Sequence, residues 1–125
     1  MANSRQASAR RRAPRVPIDV EGRLIGRLAH TVRAVDLSLT GCLVRCDTLL
    51  VHGAILDLEL GIAREPLAAK VRVAESFLDG VTPSAEGGYL AGLEFLGLLP
   101  QEANRLRTFL DGERRRRQGA DPSAD

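Results

Sequence analysis

The hydrophobic period of this chain is two in short runs as far as residue 96, and it becomes helical after Pro100. A period of two puts alternate side chains on opposite faces of a strand, whereas a helix needs apolar residues three and four apart. Val16, Ile18 and Val20 alternate with Pro17, Asp19 and Glu21. This is a half-buried strand, and Pro17 suits a strand start or an edge. Gly22 and Gly26 are expected to punctuate a turn or bulge. Further strands are expected over residues 30–37, 41–45, 56–60, 67–75 and 89–95, with loops at 61–66 and 78–88. From Pro100, Ala103, Leu106, Phe109 and Leu110 fall at helical spacing. Pro100 stands where a first-turn proline is tolerated. Glu102 near the start and Arg114 to Arg117 near the end match the sign of the helix dipole. No helices alternate with the strands, so a parallel α/β sheet is not expected. The pattern predicts a mostly β chain: a small antiparallel six-stranded β-barrel followed by a C-terminal α-helix.

A length of 125 residues suits one compact domain. The two cysteines do not make a disulfide framework, and no apolar run approaches a membrane span or a signal-peptide core. The cytoplasm is therefore the expected compartment. The net charge of +2 hides an asymmetry. Between Val16 and Glu113 nine basic residues stand against fourteen acidic ones, while the flanks hold nine basic residues and only Asp121 and Asp125. The positive charge is thus concentrated in Arg5, Arg10, Arg11, Arg12 and Arg15 at one end and Arg114 to Arg117 at the other. Residues 1–9 and 118–125 lack apolar content and are expected to be disordered tails.

Catalytic chemistry finds little to work with. His30 and His52 have no serine elbow, metal-ligand spacing or phosphate-binding glycine loop around them, so no metal or cofactor is expected. Asp57 and Glu59 alternate with leucines as a solvated strand face. Cys42 and Cys46 lie four apart on one strand, about 13 Å at roughly 3.3 Å per residue, too far for a bridge. Their shared face favours inert core packing. The chain is not expected to be an enzyme.

A binding constellation remains. Arg11 and Arg15 are spaced Arg-x-x-x-Arg just before the first strand, and Asp36-x-Ser38-x-x-Gly41 follows at a strand-to-turn junction. In this order and separation the two motifs resemble those of the PilZ family of cyclic di-GMP receptors. Gly92-Leu93-Glu94-Phe95-Leu96 is similar to the family's last barrel strand, and residues 100–117 to its following helix. The likeness covers residues 10–117, with 10–15 as an arginine switch segment and 16–96 as the barrel.

The resemblance implies a ligand of two phosphates and two guanines, bound by Arg11 and Arg15 from the N-terminal segment and by Asp36, Ser38 and Gly41 on the barrel. Arg10 and Arg12 are further candidates that the family pattern does not demand. The chemistry agrees, because arginine pairs with phosphate and with the O6 and N7 edge of guanine. A carboxylate such as Asp36 would accept from the opposite edge, and Gly41 would permit a tight turn. Binding is expected to order the arginine segment and to signal through an unidentified downstream protein, with monomer and dimer both open. Two other readings stand beside it: a PilZ-like adaptor that binds only protein, and a non-specific nucleic-acid binder working through its arginine-rich tails. The acidic body and an aromatic content of 3% weigh against the last.

Overall fold

A computed structural model describes residues 14–79 and 88–119. Six antiparallel strands form a closed barrel: β1 (Val16–Ile25), β2 (Ala29–Leu37), β3 (Gly41–Cys46), β4 (Ile55–Leu60), β5 (Leu67–Leu78) and β6 (Tyr89–Phe95). One helix follows, α1 (Pro100–Gly119). Around the barrel the order is β1-β2-β3-β6-β5-β4, and β4 closes onto β1 where Gly22 to Ile25 pair with Leu60 to Asp57. The antiparallel barrel and its terminal helix are those the change of period predicts. The expected tail at residues 1–9 lies outside the described residues; of the tail expected at 118–125, residues 118 and 119 instead continue the helix and 120–125 lie outside the described residues.

The alternation does what a strand period should. In β3, Cys42, Val44 and Cys46 are buried and the residues between them less so. Both cysteines are free and core-facing, as their spacing suggests. They pack with Leu24, Leu37, Leu58, Leu60, Leu67, Val71 and Val73. Asp57 and Glu59 lie on the outer face, where Lys70 and Arg23 pair with them.

Two boundaries differ from the sequence expectation. Gly22 is not at a turn. It lies inside β1, paired with Val32 on one side and Leu60 on the other, where its missing side chain admits the β4 backbone. The chain reverses after Ile25 instead, and the irregularity in β1 lies earlier, between Pro17 and Val20. Strand β5 also runs on to Leu78, held by pairs from Glu75↔Gly92 to Leu78↔Tyr89. The bulge before Glu75 and the adjacent apolar residues Phe77 and Leu78 break the alternation, so a period of two does not reach this extension. Pro17 does sit at a strand start. Pairing of β1 with β4 begins only at Gly22, so the absent N–H costs no bond in that ladder.

Helix α1 buries Leu106 and Leu110 against the barrel core. Polar contacts fix its direction. Near its start, Glu102 Oε2 accepts from the Ala68 backbone N–H at 3.1 Å, and Arg105 bridges Glu102 to the Glu65 and Pro66 carbonyls. Near its end, Arg117 Nη2 donates to the Pro17 carbonyl at 2.5 Å. The helix therefore ties the β4–β5 turn to the beginning of β1. No helix among the described residues is long and apolar enough to cross a membrane.

Candidate functional site

The register of β1 on β2 places the two halves of the sequence constellation side by side. Val16 pairs with Leu37 and Pro17 with Asp36, so Arg15, one residue before β1, stands beside the end of β2. Its Nη1 lies 3.5 Å from Asp36 Oδ2. Arg15 is 47% exposed and Asp36 only 19%. The other carboxylate oxygen, Asp36 Oδ1, is buried with no hydrogen-bond partner among the described residues. Burial pushes the Asp36 carboxyl above its usual range, and the nearby Arg15 charge, with the Leu43 N–H, only partly offsets this. Asp36 is thus a half-desolvated anion leaning on one exposed cation.

Ser38 and Gly41 build the turn between β2 and β3. The Ser38 side chain, 4% exposed, accepts from the Thr40 N–H at 3.1 Å and the Gly41 N–H at 3.3 Å. The Ser38 N–H donates to the Gly41 carbonyl at 2.9 Å, closing the turn. This is the local side-chain-to-backbone bonding that serine favours at turns. The hydroxyl also shares a 3.1 Å bond with Thr40 Oγ1. Gly41 has a different reason to be glycine from the tight turn expected of it. Its φ is not positive, but a Cβ there would fall 2.1 Å from the Leu93 carbonyl oxygen. Close approach of β3 to β6 excludes a side chain.

These residues open onto a cleft of about 340 Å³ that spans β3, β6 and β5. Arg15, Ser38, Thr40 and Gly41 line one side; Ala74, Glu75, Gly92 and Glu94 line the other. Asp36 does not line it, and reaches it through Arg15. Arg10, Arg11 and Arg12 lie outside the described residues. Cys42 forms part of the floor, and burial pushes its thiol up to about 12, so it stays protonated and unreactive. Among the described residues no group of three or more His, Cys, Asp or Glu could hold a metal ion.

Sequence reasoning missed Thr40, Glu75, Gly92 and Glu94 as cleft residues. Thr40 lies at an unspecified position of the Asp36 to Gly41 motif and is set by the Ser38 turn; the other three belong to no local motif, and the pairing of β5 and β3 with β6 brings them to the cleft. Glu94 is occupied, with its Oε1 3.5 Å from Arg72. The Glu75 side chain has no ion pair or hydrogen bond with a described residue.

A closed six-stranded barrel with a cation at the mouth of a cleft, tied down by a terminal helix, defines a small β-barrel domain with a charged cleft. The chain matches the family model of the PilZ domain over residues 9–112 and belongs to that family. No curated protein matches it in sequence. Among solved structures it is similar to the "PilZ domain with c-di-GMP of YcgR from Escherichia coli", with a TM-score of 0.71 and 19% identity over 90% of this chain and 98% of that one. It is also similar to YcgR from Escherichia coli in complex with c-di-GMP, with a TM-score of 0.70 and 19% identity over 90% of this chain. The Bacillus subtilis inhibitor of motility MotI/DgrA follows, with a TM-score of 0.69 and 19% identity over 88% of this chain. The chain spans 50% and 52% of the length of these last two. At such identity the likeness is one of fold.

Proposed function

We propose that this chain is a cyclic di-GMP receptor that acts on a protein partner and carries out no reaction of its own. The observation that carries the reading is the Arg15–Asp36 pair at the mouth of a cleft bordered by Ser38 and Gly41. Family membership and neighbours whose structures hold c-di-GMP support it.

A charged fork that is half exposed and held by one weak contact is ready to exchange that contact for a phosphate or a guanine edge. Arg11, and in a lesser role Arg10 and Arg12, would complete the clasp from the segment that leads into β1. Ser38 and Gly41 would act by shape. Their turn sets the wall of the cleft while its hydrogen bonds are satisfied internally. The segment would change conformation as it closes over the ligand, and the altered surface would be read by a downstream protein. Free, buried cysteines fit the reducing cytoplasm as the place of action. Calorimetric titration of the chain with cyclic di-GMP tests the reading. Saturable binding at micromolar protein is expected, and its absence overturns it.

A further inference from the structure

We propose that Glu75 reads the donor edge of a guanine bound in the cleft, and that it makes the site select guanine over adenine. The inference rests on the ligand reading above and adds to it a residue and a specificity.

Three features of the fold aim Glu75 into the cleft. The register of β5 on β6 shifts between Val73, opposite Leu93, and Glu75, opposite Gly92. A bulge of this kind re-aims the side chain beside it. Gly92 offers no side chain in return, and a Cβ there would stand 3.1 Å from Glu75 Cγ and 3.3 Å from its Oε1. The stem of Glu75 therefore lies over the β6 backbone at Gly92, where a side chain would crowd it. Finally, Glu75 alone among the carboxylates on the six strands has no ion pair with a described residue.

The other side-chain acceptors at the cleft each have a partner, though Glu94 is held only by one oxygen at 3.5 Å. Ser38 and Thr40 hydroxyls bond each other and the turn, and Glu94 faces Arg72. Asp36, which by residue type could fill the same role, turns one oxygen to Arg15 and buries the other. An ionised carboxylate only accepts hydrogen bonds, through two oxygens side by side. The pairing edge of guanine offers two adjacent donors, N1–H and N2–H, that match it. Adenine offers one donor and one acceptor, and its acceptor would face a carboxylate lone pair. Negative charge in a site for a dianion is favourable only against a donor edge or a cation. Arg15 across the cleft serves the phosphates, and Glu75 serves the base.

The test is calorimetric titration of the full chain and of Glu75→Gln with cyclic di-GMP and with cyclic di-AMP. The unmodified chain should prefer cyclic di-GMP by about a hundredfold or more. Glu75→Gln should bind cyclic di-GMP about tenfold more weakly or worse. It should bind cyclic di-AMP more tightly, because a carboxamide presents the acceptor and donor that adenine needs. Glu75→Ala should lose cyclic di-GMP without that gain. If Glu75→Gln leaves cyclic di-GMP binding unchanged, the inference falls while the receptor reading stands. If both ligands shift by the same factor, Glu75 is a counter-ion for arginine, and the inference is again overturned. A wild-type chain that binds no cyclic di-GMP removes the receptor reading and this inference together.

Discussion

Arg15 Nη1 stands 3.5 Å from Asp36 Oδ2, while Asp36 Oδ1 is buried with no hydrogen bond to any described residue. The cation is the more exposed of the two, so the pair stabilises the barrel little and its value lies in where it holds the guanidinium.

That imbalance gives a stability prediction with a definite sign. Burial raises the Asp36 carboxyl pKa above the 3.8 expected in the unfolded chain. The folded state then binds the proton more tightly, so this residue favours folding most below the unfolded value. Its contribution is lost as pH rises through the folded value. At neutral pH the ionised Asp36 costs stability. Asp36→Asn should therefore stabilise the fold at pH 7, by about 1 kcal/mol or less, with a higher thermal midpoint, and the difference should vanish in acid. The same variant should bind cyclic di-GMP about tenfold more weakly, since the guanidinium loses the anion that positions it. Thermal melts across pH, paired with titrations at pH 7, check both halves.

Arg15 should matter to ligand and not to fold. It precedes β1 and is half exposed, so Arg15→Ala should leave the melting curve within about 0.5 kcal/mol of the original. Loss of a charge-assisted contact should lower cyclic di-GMP affinity by roughly ten- to a hundredfold. Arg15→Lys keeps the charge but not the planar fork, and should recover only part of that loss. Equal losses for Arg15→Lys and Arg15→Ala would place the recognition in the fork, and full recovery by lysine would reduce Arg15 to a point charge.

Ser38 and Gly41 should behave in the opposite way. The Ser38 hydroxyl satisfies two backbone N–H groups in a nearly buried turn, and Ser38→Ala leaves them unpaired. A cost of about 1–2 kcal/mol in urea denaturation is expected. Gly41→Ala drives a methyl into the Leu93 carbonyl oxygen across the β3–β6 ladder. It should cost about 3 kcal/mol or more, or prevent folding, with loss of binding following from loss of the wall.

The contrast between these residues marks how far the sequence reads. Alternation along Val16 to Val20 and along Leu56 to Leu60 reports a strand directly, because one face is buried and the period is local. The leucines of α1 do the same at the helical period. Motif order also brought Arg15 and Asp36 to attention, and the β1–β2 register does set them together. What a motif cannot carry is the reason for each residue. Gly41 suits a turn in the sequence, yet its constraint is a carbonyl on another strand. Glu75 is invisible for the same reason: it becomes a cleft residue only when β5 bulges beside Gly92. Gly22 misleads in reverse, since a glycine inside a doubly paired strand looks like punctuation until β4 is in place.

The charge distribution separates a nucleotide receptor from a general polyanion binder. On the six strands the arginines and the lysine are engaged: Arg23, Arg45, Lys70 and Arg72 each pair with a carboxylate, and Arg33 pairs with two. The barrel therefore presents neutralised charge rather than a basic track for a phosphate backbone. A short single-stranded DNA should fail to displace cyclic di-GMP at roughly physiological salt. Cyclic di-GMP affinity should also fall less steeply with salt than DNA binding does, because base contacts do not release counter-ions. Titrations at two salt concentrations, with and without the DNA, measure this. Displacement by DNA with the same steep salt slope for both ligands would move recognition from the cleft to the arginine-rich ends of the chain.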